Sequence, residues 1–206
     1  MEKEKEKGPA ISRRNAALGA GAAAFMLALG GAAKACGSRP LVRPPGGQDE
    51  SQFLAKCIRC DRCRSVCPLD GIGVGTILDG LVNVRVPVMD FQHGHCNFCR
   101  KCIEVCPTGA LEDFKGKTTN IGLARLTESC IALRTGACTV CKQKCPYHAI
   151  TLNDAKEPII DPEKCNGCGL CVKVCPALKY QSFGNNAVLG IEVVPREAAE
   201  KKEGAE

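Results

Sequence analysis

The sequence predicts an α+β fold of tandem small units joined by long loops and held together by metal centres rather than by a large apolar core. Three observations lead there. Seventeen cysteines accompany 4% aromatics and no Trp in 206 residues. Sixteen of those cysteines fall into four similar runs, an internal repeat. Around the runs lie short turns leading into apolar residues, the pattern of brief strands and single helical turns. Small domains short of apolar volume rely on disulfides, metals or oligomerisation, and the cysteine spacing decides among these.

In chain order, Met1 to Asn15 is polar and contains Ser12-Arg13-Arg14, and a mild apolar run of mostly Ala, Gly and Leu follows from Ala16 to Ala33. It ends at Ala33-Lys34-Ala35, a small-x-small cleavage pattern. Residues 1–35 therefore read as a twin-arginine signal peptide, a route that exports folded proteins to the periplasm. The alternative is a retained signal anchor, since the stretch is about long enough to span a bilayer, although it is Gly/Ala-rich. Cys36, directly after the cut, lies outside every run. It reads as a spare thiol, with lipid anchoring as the alternative, because Ala33 stands where a lipoprotein signal usually has Leu. Residues 36–50, including Pro40 to Gly47 (PLVRPPGG), read as a Pro/Gly-rich linker without regular structure. Residues 51–190 hold the repeats, and residues 191–206 read as a charged tail, solvated from Arg196 onward.

The first copy is Cys57, Cys60, Cys63 and Cys67, giving C-x2-C-x2-C-x3-C followed by Pro68. Cys96, Cys99, Cys102 and Cys106 repeat it before Pro107, and Cys165, Cys168, Cys171 and Cys175 repeat it before Pro176. The third copy keeps Cys138, Cys141 and Cys145 before Pro146, but its first cysteine is displaced upstream to Cys130. Each copy is expected to form a strand–loop–helix unit, with three cysteines on the loop and the fourth beginning or within a short helix. Pro158 to Asp161 reads as a brief strand entering a turn, and Val66, Ile103, Val105, Val172 and Val174 are placed to screen the metal from water.

A 4Fe–4S cubane takes one thiolate per iron. In the bacterial-ferredoxin arrangement three come from C-x2-C-x2-C and the fourth from the last Cys-Pro of a partner copy. Four copies thus imply four 4Fe–4S clusters ligated by all sixteen cysteines of the repeats, in two ferredoxin-like modules of two clusters each. Structural zinc takes two separated ligand pairs rather than three plus one, and a disulfide framework would demand strict geometry from crowded loops. Two matters stay open: Cys130 either ligates or belongs to a labile or three-iron site, and copies exchange cysteines either as neighbours or with the first and fourth enclosing the others.

Residues 1–35 account for half of the formal +6 charge. An oxidised four-thiolate cluster carries about −2, so the loaded mature chain is acidic and its basic sequence is no argument for nucleic-acid binding. The basic residues inside the copies, Arg59, Arg62, Arg64, Arg100, Lys101, Lys142, Lys144 and Lys173, form either a solvated surface or a field that offsets cluster charge and docks an acidic partner. His93, His95 and His148 are read as second-sphere or solvent groups, since each copy already has its ligands. Gly71-x-Gly73-x-Gly75 lacks a nucleotide-loop context and reads as a flexible turn.

The twin-arginine signal, the Arg43-Pro44-Pro45-Gly46 linker and the order of the four copies resemble a known family. They are similar to the ferredoxin-type four-cluster proteins of periplasmic nitrate reductase and methylamine-utilisation systems. Phe53 to Pro68 (FLAKCIRCDRCRSVCP) and Gly122 to Pro146, with its displaced Cys130, carry the likeness best, and it covers most of residues 40–180. The resemblance implies a periplasmic electron carrier between a membrane quinol-oxidising iron–sulfur protein and a periplasmic redox enzyme, a role compatible with peripheral membrane association. No catalytic residues are expected, as neither a nucleophile–base pair nor a haem motif is present. The competing reading is an export-coupled assembly or maturation factor that reduces a partner enzyme.

Overall fold

A computed structural model describes residue 21 and residues 40–114, 119–177, 189–196 and 198. The chain divides into two units, residues 1–38 and 39–206. In the first, only Gly21 is described, helical and exposed; the signal segment 1–35 and Cys36 otherwise lie outside the described residues. Among the described residues no helix is long and apolar enough to cross a membrane.

The second unit mixes short helices with two-stranded sheets, as the sequence predicts. Helix α1 (Glu50–Lys56) is capped by Asp49, whose carboxylate accepts from the Ser51 and Gln52 amides, both at 3.1 Å. It buries Phe53 and stops at Cys57. Single-turn helices α2 (Arg62–Ser65), α3 (Lys101–Glu104), α5 (Val140–Lys144) and α6 (Leu170–Lys173) each carry the third cysteine of a copy. The fourth cysteine follows the helix, so the expectation that it begins or sits within one is corrected. The proline after each fourth cysteine explains why, because the residue preceding proline is pushed out of helical conformation. Helix α4 (Ile131–Thr135) fills the longer interval after Cys130.

Strands β1 (Ile72–Val74) and β2 (Pro87–Met89) pair antiparallel, Ile72 opposite Met89. The Gly-rich stretch read as a flexible turn is therefore a strand. Its glycines admit close neighbours: a Cβ on Gly75 would lie 2.3 Å from the Asn83 carbonyl oxygen. Strands β4 (Ile150–Leu152) and β5 (Pro158–Ile160) form the equivalent hairpin in the C-terminal half, and β5 is the strand expected there. Strand β3 (Leu123–Leu126) pairs with β6 (Ile191–Val194), Leu123 opposite Val194. Strand β6 corrects the tail boundary at residue 191, because Ile191 and Val194 are only 2% and 5% exposed against β3.

Residues 40–47 are irregular but packed: Val42, Arg43, Pro44 and Pro45 are buried. The Arg43 guanidinium lies over the Phe53 ring and donates to Glu50, Asn83 and the Pro87 carbonyl. One buried cation thus joins this segment, α1, the β1–β2 connection and β2. Two apolar clusters complete the unit, one around Phe53, Val86 and Leu111, the other around Phe91, Phe98, Val172 and Ile191. Buried cysteines belong to both, so the core and the cysteine sites are the same region.

Candidate metal centres

In the first, second and fourth copies the second cysteine is flanked by two left-handed residues: Arg59 and Asp61, Phe98 and Arg100, Gly167 and Gly169. This alternation curls the loop so that successive side chains point inward and backbone N–H groups face the sulfurs. The Phe98 amide, for example, donates to Cys96 Sγ at 3.3 Å. The third copy has no such flanking pair among its described residues. Helix α4 spans its longer interval instead, turning at Gly136 (φ 63°).

In three places four thiols line one cavity, each set completed by the neighbouring copy. One cavity is lined by Cys67, Cys96, Cys99 and Cys102, with Ile72 and Met89 as apolar walls. A second holds Cys145 with Cys165, Cys168 and Cys171. A third brings Cys130, Cys138 and Cys141 together with Cys175, and a Cβ on Gly190 would stand 3.2 Å from Cys175 Sγ and 3.1 Å from the Cys130 Cα. The displaced Cys130 therefore occupies the place that the first cysteine takes elsewhere. In the first copy, Cys57 and Cys60 act on Cys63, and a cleft brings Cys60 together with Cys106. The fourth cysteine of each copy thus lies beside the neighbouring copy, first with second and third with fourth.

Electrostatics reports the same grouping for the second, third and fourth quartets. Burial pushes the Cys63, Cys96 and Cys102 thiols up to about 12, and Cys141 up to about 11, with facing cysteines adding to each rise. Burial also raises Cys168 and Cys171, again with neighbouring cysteines contributing. Burial works against Cys106 too, yet bonds from the Leu111, Thr108 and Ala110 amides hold it below the ordinary thiol range. Four thiols so placed cannot all ionise unaided; they need a polycationic centre. Among the described residues no three His, Cys, Asp or Glu converge closely enough for one metal ion. Soft sulfur donors lining apolar cavities suit an iron–sulfur cluster.

The quartets adjoin in a definite order. Cys63 of the first feels Cys102 of the second. The Cys96 amide of the second donates to the Cys168 carbonyl of the fourth at 2.8 Å. Cys171 of the fourth feels Cys141 of the third. The spatial order is first, second, fourth, third, so the first and third quartets form the ends.

Of the expected screening residues, Val172 is buried, while Val66, Ile103, Val105 and Val174 are half-buried. His93 is exposed and bonds Asp90 at 2.7 Å, and His148 is exposed. His95 is half-buried, its pKa lowered by burial and by Lys173. Among the motif cations, Arg64 pairs with Asp61, Arg100 pairs with Asp113 and lies over Phe114, and Arg59 donates to the Val82 carbonyl. Lys101, Lys142, Lys144 and Lys173 are exposed. Two features had no sign in the sequence: Arg43 as a buried tie, and Gly169 pressed against Phe91, where a Cβ would lie 1.8 Å from ring carbon Cδ1.

Comparison with known proteins agrees with this grouping. The profile of the 4Fe-4S dicluster domain matches residues 56–110 and 129–178, each match holding two neighbouring copies, and a second 4Fe-4S dicluster profile matches residues 157–203. The ferredoxin-type protein NapG of Escherichia coli K12 is 35% identical, over 77% of this chain and 78% of its own. The methylamine utilization ferredoxin-type protein MauM of Methylophilus methylotrophus is 32% identical, over 81% and 76% respectively. The ferredoxin-type protein NapF of Escherichia coli K12 is 30% identical, over 66% and 80%.

Proposed function

The chain belongs to the ferredoxin-type 4Fe–4S dicluster family, and from that premise we propose that it is an electron carrier holding four 4Fe–4S clusters through the sixteen cysteines of its repeats. It is a carrier and not an enzyme with a substrate of its own. The observation that carries the reading is the convergence of thiols: three quartets line apolar cavities, and Cys60 of the first copy shares a cleft with Cys106. Cys57, Cys60, Cys63 and Cys106 would hold one cluster; Cys67, Cys96, Cys99 and Cys102 the next. Cys145, Cys165, Cys168 and Cys171 would hold another, and Cys130, Cys138, Cys141 and Cys175 the last.

Once bound, each cluster takes up and returns one electron. The chain's own residues set the conditions for that. Amides aimed at Cys96, Cys106, Cys145 and Cys165 stabilise thiolate sulfur. Phe91, Phe98 and Val172 exclude water between the second and fourth quartets. The ends of the row, at the first and third quartets, are the places for exchange with partners.

By the family likeness the donor is a membrane quinol-oxidising protein and the acceptor a periplasmic redox enzyme. Arg13-Arg14 and Ala33-Lys34-Ala35 support export to the periplasm by the twin-arginine route. Electron-paramagnetic spectra of the dithionite-reduced protein should show several interacting 4Fe–4S signals; isolated, non-interacting signals contradict the row. Deleting the gene should leave the partner enzyme complete but without electrons. A partner lacking its own cofactor would instead identify an assembly factor.

A further inference from the structure

The connection between β1 and β2 presents Ile77, Leu78, Leu81 and Val82 to solvent at 62–83% exposure. Ile58, on the first-copy loop between Cys57 and Cys60, is 64% exposed. The two segments touch, because Arg59 donates to the Val82 carbonyl at 3.0 Å. Five large apolar side chains turned outward in one place are a patch of the kind that marks an interaction site, unlike the scattered singles of an ordinary surface.

The connection is braced, so this exposure is built in. Asp79 accepts from the Thr76 amide and hydroxyl, both at 2.8 Å, closing a capping box. Two successive 3-10 turns follow, Ile77–Asp79 and Leu81–Asn83. Asn83 bonds the Asp79 carbonyl at 2.9 Å and also receives the buried Arg43 guanidinium. The loop is thus pinned from beneath while its apolar side chains point away.

The setting selects the occupant. The patch adjoins Cys60, an exposed cysteine of the first quartet and hence of one end of the row. From Cys57 to Cys67 the chain carries Arg59, Arg62 and Arg64 against Asp61 alone, and Asp61 already pairs with Arg64. Arg85 closes the far side of the β1–β2 connection. Asp79, the one acid in the loop itself, is turned inward onto Thr76. An apolar centre with a basic border beside a metal site fits a redox protein whose own centre lies in an apolar patch bordered by carboxylates. A bilayer would cover the patch but would insulate the cysteine beside it.

We propose that Ile58, Ile77, Leu78, Leu81 and Val82, bordered by Arg59 and Arg85, form the docking surface through which the first-quartet cluster meets an acidic redox protein. The inference rests on the four-cluster reading. Its test uses the cluster-loaded protein without oxygen and an acidic flavodoxin as probe, oxidised for binding and as the electron-donating hydroquinone for cluster reduction. Binding is read from flavin fluorescence, and cluster reduction is followed by absorbance. Wild type should bind more weakly as salt rises, and L78E/L81E should weaken binding and slow reduction by about tenfold or more. Reduction by the methyl viologen radical cation, a small one-electron donor that needs no docking, should be unchanged, with iron content equal to wild type. Equal flavodoxin binding by wild type and variant overturns the proposal. So does flotation of the wild type, but not the variant, with phosphatidylglycerol vesicles, or a dimer that the variant dissolves. Loss of iron in the wild type itself would instead strike at the four-cluster reading.

Discussion

Replacing Gly169 by Ala should loosen the seam between the second and fourth quartets. Gly169 has φ +79°, and a Cβ there would lie 1.8 Å from Cδ1 of the buried Phe91 ring. Ordinary carbon contacts lie at about 3.5–4 Å, so the ring must move. Left-handed strain for a non-glycine residue adds about 1–2 kcal/mol, and forced repacking of a core ring about 1–3 kcal/mol. The sum is about 2–5 kcal/mol, the larger share from Phe91, since the equivalent positions Asp61 (φ 67°) and Arg100 (φ 65°) tolerate the same backbone. The seam includes the 2.8 Å bond from the Cys96 amide to the Cys168 carbonyl. Cluster loss in guanidinium chloride, followed by visible absorbance without oxygen, should therefore be roughly thirtyfold faster or more. Magnetic coupling between neighbouring clusters should weaken as well. In a Phe91→Ala background the ring is gone, and Gly169→Ala should cost only its left-handed strain. An equal cost in both backgrounds refutes the ring-overlap reasoning, as does an unchanged rate of cluster loss.

Arg43→Met keeps much of the side-chain volume but strands Glu50, Asn83 and the Pro87 carbonyl. With Glu50 half exposed, the loss should be about 2–4 kcal/mol, read as a lowered guanidinium midpoint. Cys67→Ala should perturb the spectrum of the second-quartet cluster and Cys106→Ala that of the first; the reverse would mean that each copy keeps its own fourth cysteine. Cys130→Ala should convert one cluster to a three-iron form or remove it, visible as a new signal in the oxidised protein or as iron falling by about a quarter. An unchanged spectrum and iron content would show that Cys130 is not a ligand.

The cysteine chemistry was legible in the sequence because spacing alone encodes it: three sulfurs at intervals of three can point at one object, and a following Cys-Pro supplies a fourth. The β5 strand was legible from the Pro158-Ile159-Ile160 run. Single-turn helices were misplaced by one cysteine, since four residues such as Leu170–Lys173 are too few to show a helical period. Pairing of β3 with β6 brings together residues far apart in the chain, which no local pattern reveals. Both exchange schemes fit the same spacings, and only the placement of Cys67 beside Cys96, and of Cys175 beside Cys130, separates them. Pro40 to Gly47 looked like a linker because prolines and glycines preclude regular structure; they do not preclude burial around Arg43. The outward turn of Ile77, Leu78, Leu81 and Val82 left no sign in the sequence, because composition does not say which way a side chain faces.

Iron and acid-labile sulfide, counted per chain in protein purified without oxygen, test the central claim most directly. Four quartets of cysteine sulfur holding four cubanes predict about sixteen of each. About eight of each, or a colourless protein carrying zinc or disulfides in their place, would contradict it.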